Sequence, residues 1–206
     1  MKKRMLAYMI VLLCCIPAAG QSDACTSHPR FTFGAEWAYT ATFLTARHDY
    51  FFAPEGFREE IRSTDLSYYT NGDVYFHAGY NFNPHWNLSL YIGYTVLADY
   101  HAAVPISLRA TRYFGPDPLK DRWFAFCDVG SGISIKEDPQ EIVSGKIGGG
   151  YRLSLSRFTK LDFICSIKGV YTHPDIGYYN EKIDKRFINR NDGLVLGLSL
   201  GLSLSF

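Results

Sequence analysis

The 206-residue sequence lacks the long apolar run that a transmembrane helix requires. Such a helix needs about 20 consecutive apolar residues, whereas the longest apolar stretch covers only residues 5–16. In a bilayer every backbone polar group must be paired within the protein, and only helices and closed barrels achieve this. If the chain spans a membrane, it must therefore do so with β-strands.

Cysteine is also scarce. The chain has five cysteines, and two of them, Cys14 and Cys15, fall within the apolar N-terminal stretch. The remaining Cys25, Cys127 and Cys165 are widely spaced and odd in number, whereas a disulfide-stapled secreted domain carries a dense, even set. We therefore expect the fold to be held without disulfide bonds.

An excess of charge of one sign is missing as well, because 21 Lys and Arg residues balance 20 Asp and Glu residues. Nothing in this balance attracts nucleic acid, and we expect no nucleic-acid partner. The H-E-x-x-H and P-loop motifs are absent too. The scattered histidines repeat no ligand spacing, so we expect no metal and no other cofactor.

The first 20 residues have the pattern of a secretory signal peptide. Three basic residues precede the apolar stretch, and the small residues Ala18 and Gly20 form a cleavage site. Removal of residues 1–20 would take three of the 21 basic residues and none of the 20 acidic ones, which leaves a net charge of −2. A lipoprotein signal is the alternative, because a Leu-Leu pair stands directly before Cys14. Beyond the signal we expect a short periplasmic segment, 21–30, and one domain, 31–206.

The clearest pattern lies in residues 193–206. Large apolar side chains alternate there with Val, Gly and Ser. The large apolar residues are Leu194, Leu196, Leu198, Leu200, Leu202, Leu204 and Phe206. A period of two over this length predicts a β-strand that is long enough to cross a membrane at a tilt. Seven further segments continue the pattern and bring the prediction to eight strands, at 31–47, 73–82, 86–97, 103–114, 123–135, 143–155, 161–171 and 193–206.

Tight and wide connections alternate along the chain. The tight ones are 83–85, 115–122 and 156–160, and the longest wide ones are 46–66 and 172–192. Transmembrane barrels have short periplasmic turns and longer extracellular loops. The sequence therefore predicts an all-β fold, an eight-stranded antiparallel up-and-down transmembrane β-barrel. The two long loops are its candidate sites for an extracellular ligand.

The polar face of the strands indicates which side contacts lipid. On a water-soluble barrel that face would be rich in Lys, Glu, Arg and Asp, yet it is mainly Gly and Ser in the last strand and Thr, Gly and Ala in the first. Small residues of this kind suit a crowded lumen, so the apolar face should contact lipid. Charged residues on the inward-facing side of the strands predict that ion pairs plug the lumen, and a small solute channel is the alternative. These residues are Glu36, Arg109, Asp128, Lys146, Arg152, Asp162 and Lys168.

The signal peptide, the eight alternating strands and the terminal sequence LVLGLSLGLSLSF resemble the OmpX and OmpA membrane-domain class of outer-membrane proteins. The resemblance implies a porin-like barrel in the outer membrane of a Gram-negative cell envelope, surrounded by outer-membrane lipid. It also implies that Leu202, Leu204 and Phe206 form the signal that the barrel-assembly machinery recognises. The likeness is architectural, and it says more about fold and location than about activity.

For function, the sequence favours a non-enzymatic barrel with a structural or surface-interaction role. The main alternative is an enzyme of the deacylase or acyltransferase type that modifies outer-membrane lipid, a class that uses a His, a Ser and an acidic residue. Its candidate residues here are the pair His48 and Asp49 and the pair His173 and Asp175. Neither pair has a neighbouring Ser in a recognisable arrangement, so we expect no catalytic site.

Overall fold

The computed structural model describes residues 29–53, 56–66, 68–96, 102–115, 117–135, 141–174, 176–178 and 181–206. The predicted signal peptide and most of the predicted periplasmic segment lie outside these ranges. Within them, no helix is long and apolar enough to cross a membrane.

Long antiparallel strands dominate the described chain, and all eight predicted strands are present. The strands are β1 Phe31–Phe52, β2 Arg58–Asp65, β3 Tyr69–Asn83, β4 Trp86–Val96, β5 Ala102–Tyr113, β6 Arg122–Ser134, β7 Glu141–Ser154, β8 Lys160–Thr172, β9 Gly177–Tyr178, β10 Glu181–Lys182 and β11 Ile188–Ser205. The short strands β9 and β10 pair only with each other. A 3₁₀ turn, Lys185–Phe187, precedes β11.

The main sheet closes on itself. Its order is β11-β8-β7-β6-β5-β4-β3-β1-β2, and β11 also pairs with β1. The closing register runs from Gly34 opposite Ser205 to Phe51 opposite Ile188. Because β2 pairs with β1 alone, the closed wall consists of the other eight strands. The predicted eight-stranded barrel is thereby confirmed, and its closure leaves no unpaired strand edge in the wall.

The sheet extends beyond the barrel at one end. β1 continues to Phe52, past its predicted end at residue 47, and β2 lies within the predicted loop 46–66. β11 begins at Ile188, within the predicted loop 172–192. We call residues 45–52, 58–65 and 188–195 the extended sheet. The sequence did not predict these strands, because residues 46–66 carry many charges and do not alternate cleanly between apolar and polar side chains.

A β-bulge separates the extended sheet from the wall. The register between β1 and β11 shifts between Thr42 and Leu44, so that Phe43 is an extra residue. A bulge of this kind reverses the phase of the strand that carries it. Glu36 and Thr40 are buried before the bulge, whereas Asp49 is buried after it.

The outer wall is apolar, and the interior is largely polar. Large exposed side chains occur on every wall strand, among them Trp37, Phe76, Ile92, Leu108, Val129, Ile147, Ile167 and Leu200. Two exposed aromatic groups flank this belt. The group at the tight-turn end contains Phe31, Phe82, Phe114, Trp123, Phe158 and Phe206, and the opposite group contains Tyr68, Tyr69, Tyr94 and Tyr171. Belts of this type mark the two interfaces of a membrane barrel.

Candidate functional site in the lumen and the extended sheet

The centre of the lumen is an ion cluster around Arg109 of β5. Arg109 donates from Nε to Asp128 Oδ2 at 3.0 Å and from Nη2 to Glu36 Oε1 at 3.2 Å. Its Nη1 donates to Glu36 Oε2 at 2.5 Å and to the Tyr91 hydroxyl at 3.1 Å. The guanidinium carbon lies 3.9 Å from the ring centre of Tyr91 and 4.4 Å from that of Phe126. A buried charge is tolerated only when hydrogen bonds and opposite charges surround it in this way.

A second cluster surrounds Asp73 of β3, which is fully buried. Lys168 Nζ donates to the two Asp73 carboxylate oxygens at 2.8 and 2.9 Å. Thr40 donates to the same carboxylate at 3.0 Å, and Thr95 also donates to it. Sequence reasoning missed Asp73 because it was the first residue of the predicted strand 73–82. Its position two residues before the inward-facing Tyr75 was the signal that could have identified it.

Lys146 of β7 lies between the two clusters. Its Nζ is 3.8 Å from Glu36 Oε1 and 4.0 Å from Asp73 Oδ2, and it lies 4.1 Å from the ring centre of Tyr75. Within the described ranges, no hydrogen bond reaches this nitrogen. Lys146 therefore connects the Arg109 cluster to the Asp73 cluster through charge and not through hydrogen bonds.

The third group lies nearer the tight-turn end. Arg152 donates from Nε and Nη2 to the two Asp162 oxygens, each at 2.6 Å. Between this pair and the Arg109 cluster, a cavity of about 20 Å³ remains, room for about one water molecule. The seven predicted lumen residues thus face inward, all are buried, and they belong to three groups of contacts.

Arg122 and Lys160 also point into this end of the lumen and are buried. The sequence placed them in the tight connections 115–122 and 156–160, so neither was expected there. Each is in fact the first residue of its strand, β6 or β8. Their phase is that of Asp128 and Asp162, and counting back along each strand in steps of two would have found them.

One His and one Ser approach each other inside the barrel. His77 Nε2 lies 3.4 Å from Ser203 Oγ, longer than the usual hydroxyl hydrogen bond of about 2.8 Å. Among the described residues, His77 Nδ1 has no hydrogen-bond partner, so none of their carboxylates orients the ring as a catalytic base requires. Both residues are buried in the lumen and do not face lipid.

The inner side of the extended sheet carries a small apolar core of its own. Phe51 and Ala53 of the β1 end pack with Ile176, and all three are buried. Ile183 and Ile188 pack against this group. The connection after β8 therefore folds back onto the extended sheet, and this part of the molecule is held by burial of apolar side chains.

The opposite side of the extended sheet is polar. Glu60 Oε1 accepts from Arg62 Nε at 2.8 Å and lies 2.9 Å from His48 Nε2. Hydrogen bonds from Arg62 and His48 lower the pKa of Glu60. Farther along, Tyr171 donates to Asp192 at 2.5 Å, and this bond lowers the pKa of Asp192. A groove of about 270 Å³ runs between these groups; among its lining residues are Ala46, His48, Arg62, Thr64, Tyr171 and Leu194.

Of the two candidate catalytic pairs, only His48 and Asp49 both lie within the described residues, and they do not form a pair. His48 and Asp49 are consecutive residues of β1 and point to opposite faces of the sheet. Asp49 Oδ2 lies 2.5 Å from Arg47 Nε, and burial raises the Asp49 pKa. His173 Nδ1 is 3.6 Å from Asp192, while its predicted partner Asp175 lies outside the described residues. In the part of the chain that the structure describes, no group of three or more His, Cys, Asp or Glu residues could hold a metal ion.

The predicted assembly signal lies at the closing seam of the barrel. Leu202, Leu204 and Phe206 are on the exposed wall. Phe206 N donates to the carbonyl of Phe33 at 2.7 Å, and Phe33 N donates back to Phe206 at 3.1 Å. The last residues of the sequence therefore complete the pairing between the first and last wall strands.

No protein-family model matches the chain, and no curated protein matches it. Solved structures do. OprG from Pseudomonas aeruginosa, an outer membrane protein, is 11% identical with a TM-score of 0.52, and the match covers 85% of this chain and 95% of that one. The fold is that of a small outer-membrane β-barrel. With its exposed apolar belt, the barrel is an outer-membrane protein whose wall contacts lipid.

Two other solved structures are similar at lower TM-scores. Neisserial surface protein A is 14% identical with a TM-score of 0.49, covering 85% of this chain and 97% of that one. Ail, the attachment invasion locus protein of Yersinia pestis, was solved with the heparin analogue sucrose octasulfate. It is 12% identical with a TM-score of 0.32, covering 86% of this chain and 99% of that one.

Proposed function

We propose that this outer-membrane barrel has no enzymatic activity and acts through the extended sheet as a surface-interaction protein. The observation that carries the proposal is that this sheet continues beyond the lipid belt and has its own core of Phe51, Ala53 and Ile176. A loop that only connected two strands would need no such core. Binding surfaces are often presented by segments that a rigid scaffold positions.

The polar side of the extended sheet suits recognition of a partner. It offers arginine, histidine, tyrosine and carboxylate side chains around one groove, and side chains such as Arg62 and Arg190 are largely exposed. Both signs of charge are present, which favours a partner that also carries mixed charge over a uniformly charged polymer. The predicted topology places this groove outside the cell, just above the tyrosine group.

The experiment is site-specific photo-crosslinking on intact cells. A photoreactive residue at Arg62 should yield a discrete adduct with a surface partner, whereas one at Trp123, on the exposed wall at the tight-turn end, should react only with lipid. Replacement of residues 48–62 by a two-residue turn between Arg47 and Ser63, which pair across the strands, should abolish binding and leave the barrel folded. If Arg62 reacts only with lipid, the role is structural and not one of surface interaction.

A channel is the alternative function, and the packing of the lumen argues against it. The Arg109, Asp73 and Arg152 groups lie across the interior at successive depths, and their side chains are buried. We expect no steady conductance when the purified protein is inserted into planar bilayers. A reproducible single-channel current would show a continuous water path, and the lumen would then be a channel and not a plug.

A further inference from the structure

The tight-turn end of the lumen contains two buried cations, Arg122 and Lys160, that form no direct ion pair with any described residue. Arg122 and Arg152 are directly opposite each other on β6 and β7. Both side chains point inward, and both are buried. Like charges at directly opposed positions destabilise a sheet, so this arrangement requires a compensating group.

Asp162 cannot supply that group for both arginines. Its two carboxylate oxygens each accept a hydrogen bond from Arg152 at 2.6 Å. Arg122 instead donates from Nη1 to the carbonyl of Pro84 at 2.5 Å and lies 4.0 Å from the ring centre of Tyr113. Only 4% of the residue is exposed, and its Nε is buried with no hydrogen-bond partner among the residues that the structure describes.

Lys160 adds a second buried cation in the same place. Its Nζ donates to Ser154 Oγ and to the carbonyl of Ser156, each at 2.9 Å. Both acceptors are neutral. Asp117 and Asp121 of the neighbouring turn attract these cations through their charge. Their hydrogen bonds go to backbone amides, since Asp121 accepts from the Ser154 amide at 2.8 Å and Asp117 accepts from the Leu119 amide at 2.9 Å.

These cations line one cavity. A pocket of about 20 Å³ at this end of the lumen is lined by Arg122, Arg152, Arg157 and Lys160, together with Ser205 and the aromatic residues Phe158 and Phe206. The enclosed part of the pocket has room for about one water-sized group, which is the size of one oxygen atom of a larger ligand. Phe158 and Phe206 belong to the exposed aromatic group that marks a membrane interface, so the pocket lies at the depth of lipid headgroups.

We propose that this pocket binds a single oxyanion of the phosphate type, through Arg122 and Lys160. A guanidinium presents a planar fork of donors that suits phosphate oxygens, and a lysine ammonium adds a point charge. A bound oxyanion would satisfy the orphaned Arg122 Nε and separate the opposed arginines. The oxyanion is either free inorganic phosphate or the headgroup phosphate of an anionic lipid, and both offer the same chemistry.

The test follows the Arg122 Nε–H resonance by NMR in the folded barrel. In nanodiscs of phosphatidylcholine, inorganic phosphate is added at constant ionic strength, with chloride as the reference anion. A parallel set of nanodiscs contains phosphatidylglycerol and no phosphate. A saturable shift with phosphate identifies free phosphate, and a shift seen only with phosphatidylglycerol identifies the lipid headgroup. If neither changes the resonance, the proposal is wrong.

Variants distinguish binding at this pocket from nonspecific electrostatic screening by the added anion. Lys160→Met should weaken the binding about tenfold or more, as expected for loss of a contact to a charged group. Arg122→Gln should weaken it similarly, with phosphorus NMR of the added phosphate or of the lipid as readout. Lys120→Gln is the matched control, because that lysine side chain is 80% exposed on the adjacent turn, and it should leave binding unchanged. Equal binding in wild type and Lys160→Met would overturn the proposal even if Arg122→Gln failed to fold.

Discussion

Arg109 and Glu36 are 73 residues apart in the sequence, and their side chains meet in the lumen through two hydrogen bonds. Their strands are not neighbours, since β3 and β4 separate β1 from β5 in the sheet. The contact therefore crosses the interior and ties together parts of the wall that no backbone ladder joins. Because Arg109 also binds Asp128 of β6 and the Tyr91 hydroxyl of β4, one guanidinium connects four wall strands.

This relationship predicts strong coupling within the Arg109 cluster. Arg109→Met would leave Glu36 and Asp128 buried without their cation, which for buried pairs costs about 3–5 kcal/mol. Arg109→Met combined with Asp128→Leu should cost less than the sum of the two single changes. Urea unfolding in lipid vesicles measures these free energies in a double-mutant cycle. Arg112→Met, which removes a rim arginine from the same strand, is the control and should change little.

Additive losses in this cycle would contradict the cluster. Arg109 and Asp128 would then be separated by water, and the conductance experiment would become the deciding measurement.

The core of the extended sheet predicts a local effect of Phe51→Ala. Phe51 is fully buried, and truncation of a buried phenylalanine costs about 3–5 kcal/mol. Because the core lies beyond the lipid belt, the loss should open the extended sheet and leave the barrel closed. Limited proteolysis of intact cells should cut the variant between residues 46 and 66 faster than wild type, with unchanged heat-modifiable mobility on gels.

Phe57→Ala is the matched control for this change, because Phe57 is in the same hairpin but is 50% exposed. It should leave the proteolysis rate near that of wild type. If the two variants behave alike, burial of Phe51 does not hold the extended sheet.

The orientation of the barrel is a further prediction. The tight turns near Pro84 and Pro118 should face the periplasm, and the extended sheet should be outside the cell. A cysteine placed at Arg62 or Arg190 should react with a reagent that cannot cross the membrane, and one placed at Pro118 should not. The reverse labelling pattern in intact cells would invert the topology and place the proposed oxyanion site on the cell surface.

The closing seam predicts that Phe206 contributes to assembly. Deletion of Phe206 removes its two backbone hydrogen bonds with Phe33 and one exposed aromatic side chain of the interface group. The amount of folded protein in the outer membrane should therefore decrease. Phe158→Ala removes another exposed aromatic residue of the same group without touching the seam. An equal decrease in both variants would assign the effect to interfacial anchoring and not to strand closure.

Much of the fold could be predicted from local pattern alone. In residues 193–206 the alternation of leucine with glycine and serine specifies a strand, its two faces and its length, because side chains of a strand point to opposite faces at every step. The same rule placed Glu36 and Arg109 on the inward phase. The alternation of tight and wide connections ordered the strands as an up-and-down barrel.

The same rule did not predict that residues at the strand boundaries face the lumen. Asp73 stood at the edge of a predicted strand, and Arg122 and Lys160 stood in predicted turns, yet all three are buried in the lumen. The sequence pattern also did not predict the bulge at Phe43. It reverses the phase of β1 and so turns Asp49 inward.

By itself, the sequence determined the strands, their lipid-facing sides and the absence of a helical span, since each depends on neighbouring residues and on the period of a strand. The partners in the lumen were decided only by the tertiary structure. Which carboxylate meets Arg109, and that Arg122 Nε finds no hydrogen-bond partner among the described residues, depends on the stagger between strands and on the closure of the wall. Those quantities set the depth of every side chain, and no local pattern records them.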